Sequence, residues 1–238
     1  SMVEVGMEKY FEAAKKKGVP VFIFVNKMTG QEINLDALWE DMRQSFGPGI
    51  TPFQLPMGKG SDFKEVIDLV SGDVNAFPSD LKEKALKERE RLRENIIETS
   101  EELLEKYMSG EEISDDELLP VLKNAILKQQ VIPVLYGDAK EAIGVEELLK
   151  AVINFGASPS DAKPETGKLE GNDVEIAANP DGKTVAFVFK TFQEAHLGEV
   201  SVIKVLSGKM ESGKEYLNVR SQRAEKINQM YLIRGSDR

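Results

Sequence analysis

The apolar run Val21, Phe22, Ile23, Phe24, Val25 stops abruptly at Asn26-Lys27-Met28-Thr29, and this stretch constrains the chain more than any other. It has the length of a strand. Upstream, residues 8–17 carry a helical pattern that puts Tyr10, Phe11 and Ala14 on one side and ends in lysines. Gly18-Val19-Pro20 stops that helix and feeds the strand. A helix–strand step of this kind is a unit of a doubly wound α/β sheet. Ligands of open parallel sheets bind at the carboxyl ends of the strands, which is where Asn26 and Lys27 stand.

A chain of 238 residues holds one large domain or two modest ones. Its 41% hydrophobic and 30% charged residues are those of an ordinary soluble globular protein. The net charge of −10 argues against broad contact with a phosphate backbone, which basic surface must supply. With no cysteine there is neither a disulfide framework nor a thiolate metal site, which fits a reducing cytoplasm. No apolar run approaches the roughly 20 residues that span a membrane, so no membrane partner is expected.

Further along, Asn34 caps a predicted helix to about Phe46 that buries Leu35, Leu38, Trp39 and Met42. Residues 51–56 and 64–70 read as short strands between Gly-rich turns. One long charged helix is predicted from Ser79 to about Tyr107, with Leu81, Ala85, Leu92, Ile96 and Leu103 at helical spacing and Gly110 ending it. Ser114 and Glu117 form a capping box for the next helix, which Pro120 is expected to kink or delay. Residues 131–136 form a second buried strand that runs into Gly137-Asp138-Ala139-Lys140, and a helix over 145–155 follows. The polar, turn-rich stretch after Ser158 reads as a linker. Beyond it, residues 184–191, 199–206 and 214–219 are strands of a small antiparallel unit.

Asn-Lys alone also marks a strand end with a turn asparagine. The order of strand, Asn-Lys-x-Thr, long insert, strand and Gly-Asp-Ala adds context, and it resembles translational GTPases, elongation factor G in particular. The family carries Asn-Lys-x-Asp and Gly-Ser-Ala at these places. Residues 62–70, the pair 101–107 and 110–113, residues 144–159 and residues 182–208 resemble further segments of that family. The fold implied is a partial GTPase-type parallel sheet with an α+β insert, followed by a partial antiparallel β-barrel. Its expected bounds are 1–160 for the GTPase part, with the insert at about 47–128, then a linker over 161–180 and the barrel part over 181–238.

The resemblance implies a GTP/GDP site in which Asn26 and Lys27 contact guanine, the Ala139 N–H donates to O6 and Lys140 flanks the base. A carboxylate at position 29 would accept both guanine donors in charge-assisted bonds. Thr29 brings no charge, and Asp138, in place of the family's Ser, could repel the O6 edge. No Gly-x-x-x-x-Gly-Lys-Ser/Thr phosphate loop occurs in the chain, so no catalytic residue is assigned and no hydrolysis by this polypeptide is expected. The resemblance implies a fragment whose full-length parent supplies those parts with Mg²⁺, acts on ribosomal RNA and proteins in translocation, and is cytoplasmic. The alternative is a non-hydrolysing paralogue that serves as a ribosome-binding module. A truncated barrel would leave an edge for pairing between fragments.

Other features carry less. His196 is the only histidine, in a predicted loop over 194–198, so no multi-histidine metal site can be drawn. The charges of residues 83–94 read as a solvated face with i,i+4 pairs, and Asp115-Asp116 as helix N-terminal charge. Arg220, Arg223, Lys226 and Arg234 form a modest basic cluster.

Overall fold

A computed structural model describes residues 3–30, 34–169, 171–194 and 198–232. The chain divides into two compact units, Ser1–Ala157 and Ser158–Arg238.

The first unit is mixed α/β. Its elements are α1 (Val5–Lys17), β1 (Ile23–Val25), α2 (Leu35–Phe46), β2 (Ile50–Pro52), β3 (Gln54–Met57), β4 (Glu65–Asp68), α3 (Lys82–Ile97), α4 (Glu101–Ser109), α5 (Asp115–Leu127), β5 (Ile132–Tyr136) and α6 (Val145–Phe155). Strands β1, β5 and β2 form a parallel sheet in the order β1-β5-β2, with Ile23 opposite Val134 and Ile50 opposite Ile132. Every residue of β5 is buried, as expected for a strand covered on both faces. Its side chains alternate between the two faces. Ile132, Val134 and Tyr136 pack with Phe11 of α1 and Leu38, Met42 and Phe46 of α2. Leu135 packs with Leu92 and Ile96 of α3, Leu122 and Ile126 of α5 and Phe155 of α6.

Several expectations are corrected. Tyr10 is 82% exposed, so α1 buries Phe11 alone and not the wider stripe. Residues 51–56 are not one strand. Ile50–Pro52 belongs to the parallel sheet, and β3 turns away to pair antiparallel with β4. At that departure the Tyr136 N–H has no strand to bond. The Gln54 side chain replaces the ladder by accepting it at 2.9 Å, and Gln54 is itself 3% exposed.

The long charged helix is two, α3 and α4. The Thr99 hydroxyl bonds back to Ile96 O at 2.7 Å and Ser100 caps α4 by accepting from Leu103 N, local bonds that compete with continuing the helix. Helix α5 starts at Asp115 with its capping box in place and runs through Pro120. Lys106 and Ser114 bond Glu117 and hold its carboxyl down to about 2. The charges on α3 do more than face solvent: Arg89 donates to Gly72 O and Asp115, and Arg93 to Ile113 O and Asp115, so Asp115 ties α5 to α3.

The second unit contains β6 (Glu165–Leu169), β7 (Asn172–Ile176), β8 (Val185–Glu194), β9 (Gly198–Ser207), β10 (Glu215–Asn218) and β11 (Arg223–Lys226). They pair as three antiparallel hairpins, β6-β7, β8-β9 and β10-β11; among the described residues no two hairpins share a backbone ladder, and Lys204 of β9 reaches Glu165 of β6 at 3.5 Å. Residues 161–180 therefore hold the β6-β7 hairpin where a linker is predicted. Its apolar members Val174 and Ile176 alternate with Asp173 and Glu175, a two-residue period hidden by polar composition. His196 and Arg234 lie outside the described residues.

Candidate functional site

The two adjacent parallel strands β1 and β5 end side by side, and the loops that follow them bond to each other. Gly137 N donates to Val25 O at 2.9 Å, and Met28 N donates to Gly137 O at 3.2 Å. The Met28 side chain, 2% exposed, is sunk in the cluster with Val134 and Phe63. A loop of polar residues is thus pinned from below by one apolar anchor. The sequence signal for it, an apolar residue between Lys27 and Thr29, was present but unassigned.

Asn26 connects the loops through its side chain. Its Oδ1 accepts from the Lys27 N–H at 2.8 Å and from the Ala139 N–H at 2.9 Å. The first of these bonds supports Lys27 at φ 64, in the left-handed region that non-glycine residues seldom occupy. The amide Nδ2, with two donor hydrogens, bonds to no protein group among the described residues. The Ala139 N–H, expected to meet O6 of a base, is here taken by Asn26. The Lys140 side chain is 90% exposed and lies 3.6 Å from Glu141.

Asp138 is 4% exposed and turned inward, so it does not present its charge to a base edge as expected. Its Oδ2 accepts from the Thr29 N–H at 3.2 Å and from the Thr29 hydroxyl. Its Oδ1 accepts from the Lys140 and Glu141 N–H groups at 3.1 and 3.3 Å. Backbone bonds between Asp138 and Ile143, at 2.9 and 3.0 Å, close the loop. Ile143 and Glu141 belong to this arrangement without any side-chain signal in the sequence, because they contribute through the backbone. The structure therefore brings Asn26, Lys27, Thr29, Asp138, Ala139 and Lys140 into one place. Of these, Asn26 and Lys27 are exposed and Thr29 is half-buried.

The Thr29 hydroxyl bond, followed by the Thr29, Glu141 and Lys140 N–H groups, holds the Asp138 carboxyl below its ordinary value of 3.8, against the opposing effect of burial. A depressed carboxyl stabilises the folded state above its unfolded-state value, and the contribution disappears as pH falls through the folded value. The clasp is thus intact at neutral pH and opens only in acid below about 3.8. An NMR titration of the Asp138 carboxyl carbon is expected to show a midpoint below 3.8 with the Thr29 amide shifting in step. A midpoint at or above that value would contradict the bonding described.

Among the described residues no helix is long and apolar enough to cross a membrane. No group of three or more His, Cys, Asp or Glu among them is placed to hold a metal.

No family model matches the chain. Among curated proteins it is 30% identical, over 237 residues, to an elongation factor G-like protein of Thermotoga maritima. That alignment covers 97% of this chain and 35% of the relative, so the chain spans about a third of the relative's length. Among solved structures, one from Thermus thermophilus superposes with a TM-score of 0.79 at 26% identity, covering 99% of this chain and 34% of that one. The sequence likeness runs through both units.

Proposed function

From this likeness to elongation factor G-like proteins, we propose that the chain is a segment of a translational GTPase and carries the base-recognition half of its nucleotide site. The full-length protein binds GTP and GDP with Mg²⁺, acts on the ribosome in the cytoplasm, and uses hydrolysis to drive a step such as translocation. The partial GTPase-type sheet is residues 1–160 with their insert, and residues 181–238 begin a β-barrel domain. One observation carries the reading: the loops at the ends of β1 and β5 are clasped by Asn26 bonding Ala139 and Thr29 bonding Asp138, which brings the six residues together. A guanine edge has acceptors at O6 and N7 and donors at N1 and the 2-amino group, which match an amide donor and a hydroxyl acceptor. In this reading the Lys27 stem covers the base face and Lys140 flanks the base. Asn26, Lys27, Thr29, Asp138, Ala139 and Lys140 make up the site.

Phosphate and metal binding fall outside this segment, so it hydrolyses nothing alone and binds nucleotide weakly. Titrating the isotope-labelled chain with GDP is expected to move the amides of Lys27, Thr29 and Ala139 at millimolar ligand, with ADP moving them less. Unmoved amides would refute the base-site reading, and submicromolar GDP affinity would refute its dependence on phosphate-binding parts elsewhere.

A second reading, a non-hydrolysing paralogue that docks on the ribosome, is favoured by one observation. Neither position that matches the family pattern offers a free carboxylate, since Thr29 lacks one and the Asp138 oxygens are engaged within the loops. A phosphate loop in the parent's upstream sequence supports the GTPase, and its loss supports the paralogue.

A further inference from the structure

We infer that Thr29 sets base selectivity, its hydroxyl locked by Asp138 into an acceptor-only state that takes a purine bearing N1–H and rejects adenine. This rests on the base-site reading above and goes beyond it. The argument begins with capacity. An ionised carboxylate offers about four lone-pair sites, and Asp138 fills them with the Thr29 hydroxyl, the Thr29 N–H and the N–H groups of Lys140 and Glu141. Being buried as well, it has nothing left for a ligand.

The Thr29 hydroxyl has one hydrogen and two lone pairs. Its hydrogen points at Asp138, so only the lone pairs remain for a ligand. Thr29 is only partly buried, while Asp138 lies beneath it. A hydroxyl that donates to a buried anion is polarised and becomes a better acceptor. The carboxylate thereby acts through the threonine rather than directly, as a positioning residue. Relative to the family pattern the two positions have exchanged chemistry: a hydroxyl stands where the carboxylate is usual, and a carboxylate where the hydroxyl is usual. The bond between them is what makes the exchange workable.

Consequences for ligands differ from those of a two-oxygen carboxylate. Adenine presents a lone pair at N1, which would face the lone pairs of Thr29, so it is rejected. Hypoxanthine keeps N1–H and lacks only the 2-amino group. One acceptor atom gains little from the second donor, so inosine nucleotides bind within about tenfold of guanosine ones, a difference no larger than one net hydrogen bond.

The test is a set of dissociation constants for GDP, IDP and ADP on the full-length protein carrying this segment. Thr29→Val is expected to reduce the GDP-over-ADP ratio about tenfold or more, and Thr29→Ser to keep it. Asp138→Leu, which has no acceptor, is expected to reduce the ratio with Thr29 still present, because the released hydroxyl hydrogen can then donate to adenine N1. A purely structural Asp138 would instead weaken GDP and ADP alike. A wild-type protein without GDP preference removes the base-site reading itself, and this inference with it. A GDP preference untouched by Thr29→Val leaves the base site standing and overturns the inference alone. So does IDP binding that is more than about 100-fold weaker than GDP, since that needs a second charged acceptor at the 2-amino group.

Discussion

Leu122→Ala is expected to destabilise the first unit by about 2–5 kcal/mol, the range for truncating a fully buried leucine. Leu122 is 0% exposed and sits mid-way along α5, in the cluster that includes Leu92 and Ile96 of α3 and Leu135 of β5. Removing its isopropyl group costs the transfer of buried apolar surface and leaves a cavity between a helix pair and the sheet. The neighbourhood has few ways to collapse into that space. Ile126 and Ala125, next on the same face of α5, are at 0% and 1% exposure, and α5 is fixed from the side by the Asp115 bonds to Arg89 and Arg93. The single tryptophan, Trp39, lies in the same unit and provides the readout. Urea unfolding followed by its fluorescence should show the midpoint lowered. A loss under about 1 kcal/mol would mean that α5 is not packed as described.

Gly144→Ala is expected to be nearly as costly, for different reasons, and to damage the site as well. Gly144 precedes α6 at φ +73, a conformation that costs an L residue about 1–2 kcal/mol. A Cβ there would also lie 2.2 Å from Tyr136 O and 3.1 Å from the Gly137 Cα, both backbone atoms at the end of β5. Overpacking of this kind adds about 1–3 kcal/mol. Because Gly137 leads directly into Asp138, relief of the clash must displace the loop that holds Thr29. The control is Gly110→Ala at φ +78, where a Cβ meets nothing within 4 Å, so only the backbone cost applies. Melting curves of the two variants should differ by the steric share, and only Gly144→Ala should abolish the GDP response of the Thr29 amide. Equal melting temperatures would show that the β5–α6 junction yields without strain.

Much of this was legible in the chain, and unevenly so. The β5 run, the Asn34 cap and the Ser114–Glu117 box are local signals, and each produced its element. The boundary near Ser100 was missed because Leu92, Ile96 and Leu103 keep helical spacing across it, and hydrophobic period cannot see a cap. Tyr10 was misplaced since periodicity marks a face but not what covers it. The β6-β7 hairpin was missed because its alternation is carried by two apolar residues among charged ones. At the site, the six residues that spacing brought forward lie together, and what was not legible is the inward turn of Asp138. Its inward turn depends on Thr29, more than a hundred residues away in sequence, and on N–H groups that every residue has.

The clasp between the loops has a bearing on timing. Fixing the backbone of one residue costs about 1–2 kcal/mol of conformational entropy. Residues 26–29 and 137–141 are held to each other by side-chain and backbone bonds of their own. That ordering comes with folding, so a base bound there, as proposed, would meet loops already fixed to each other. If the loops take a base as proposed, its on-rate is expected to be set by diffusion and not by loop ordering.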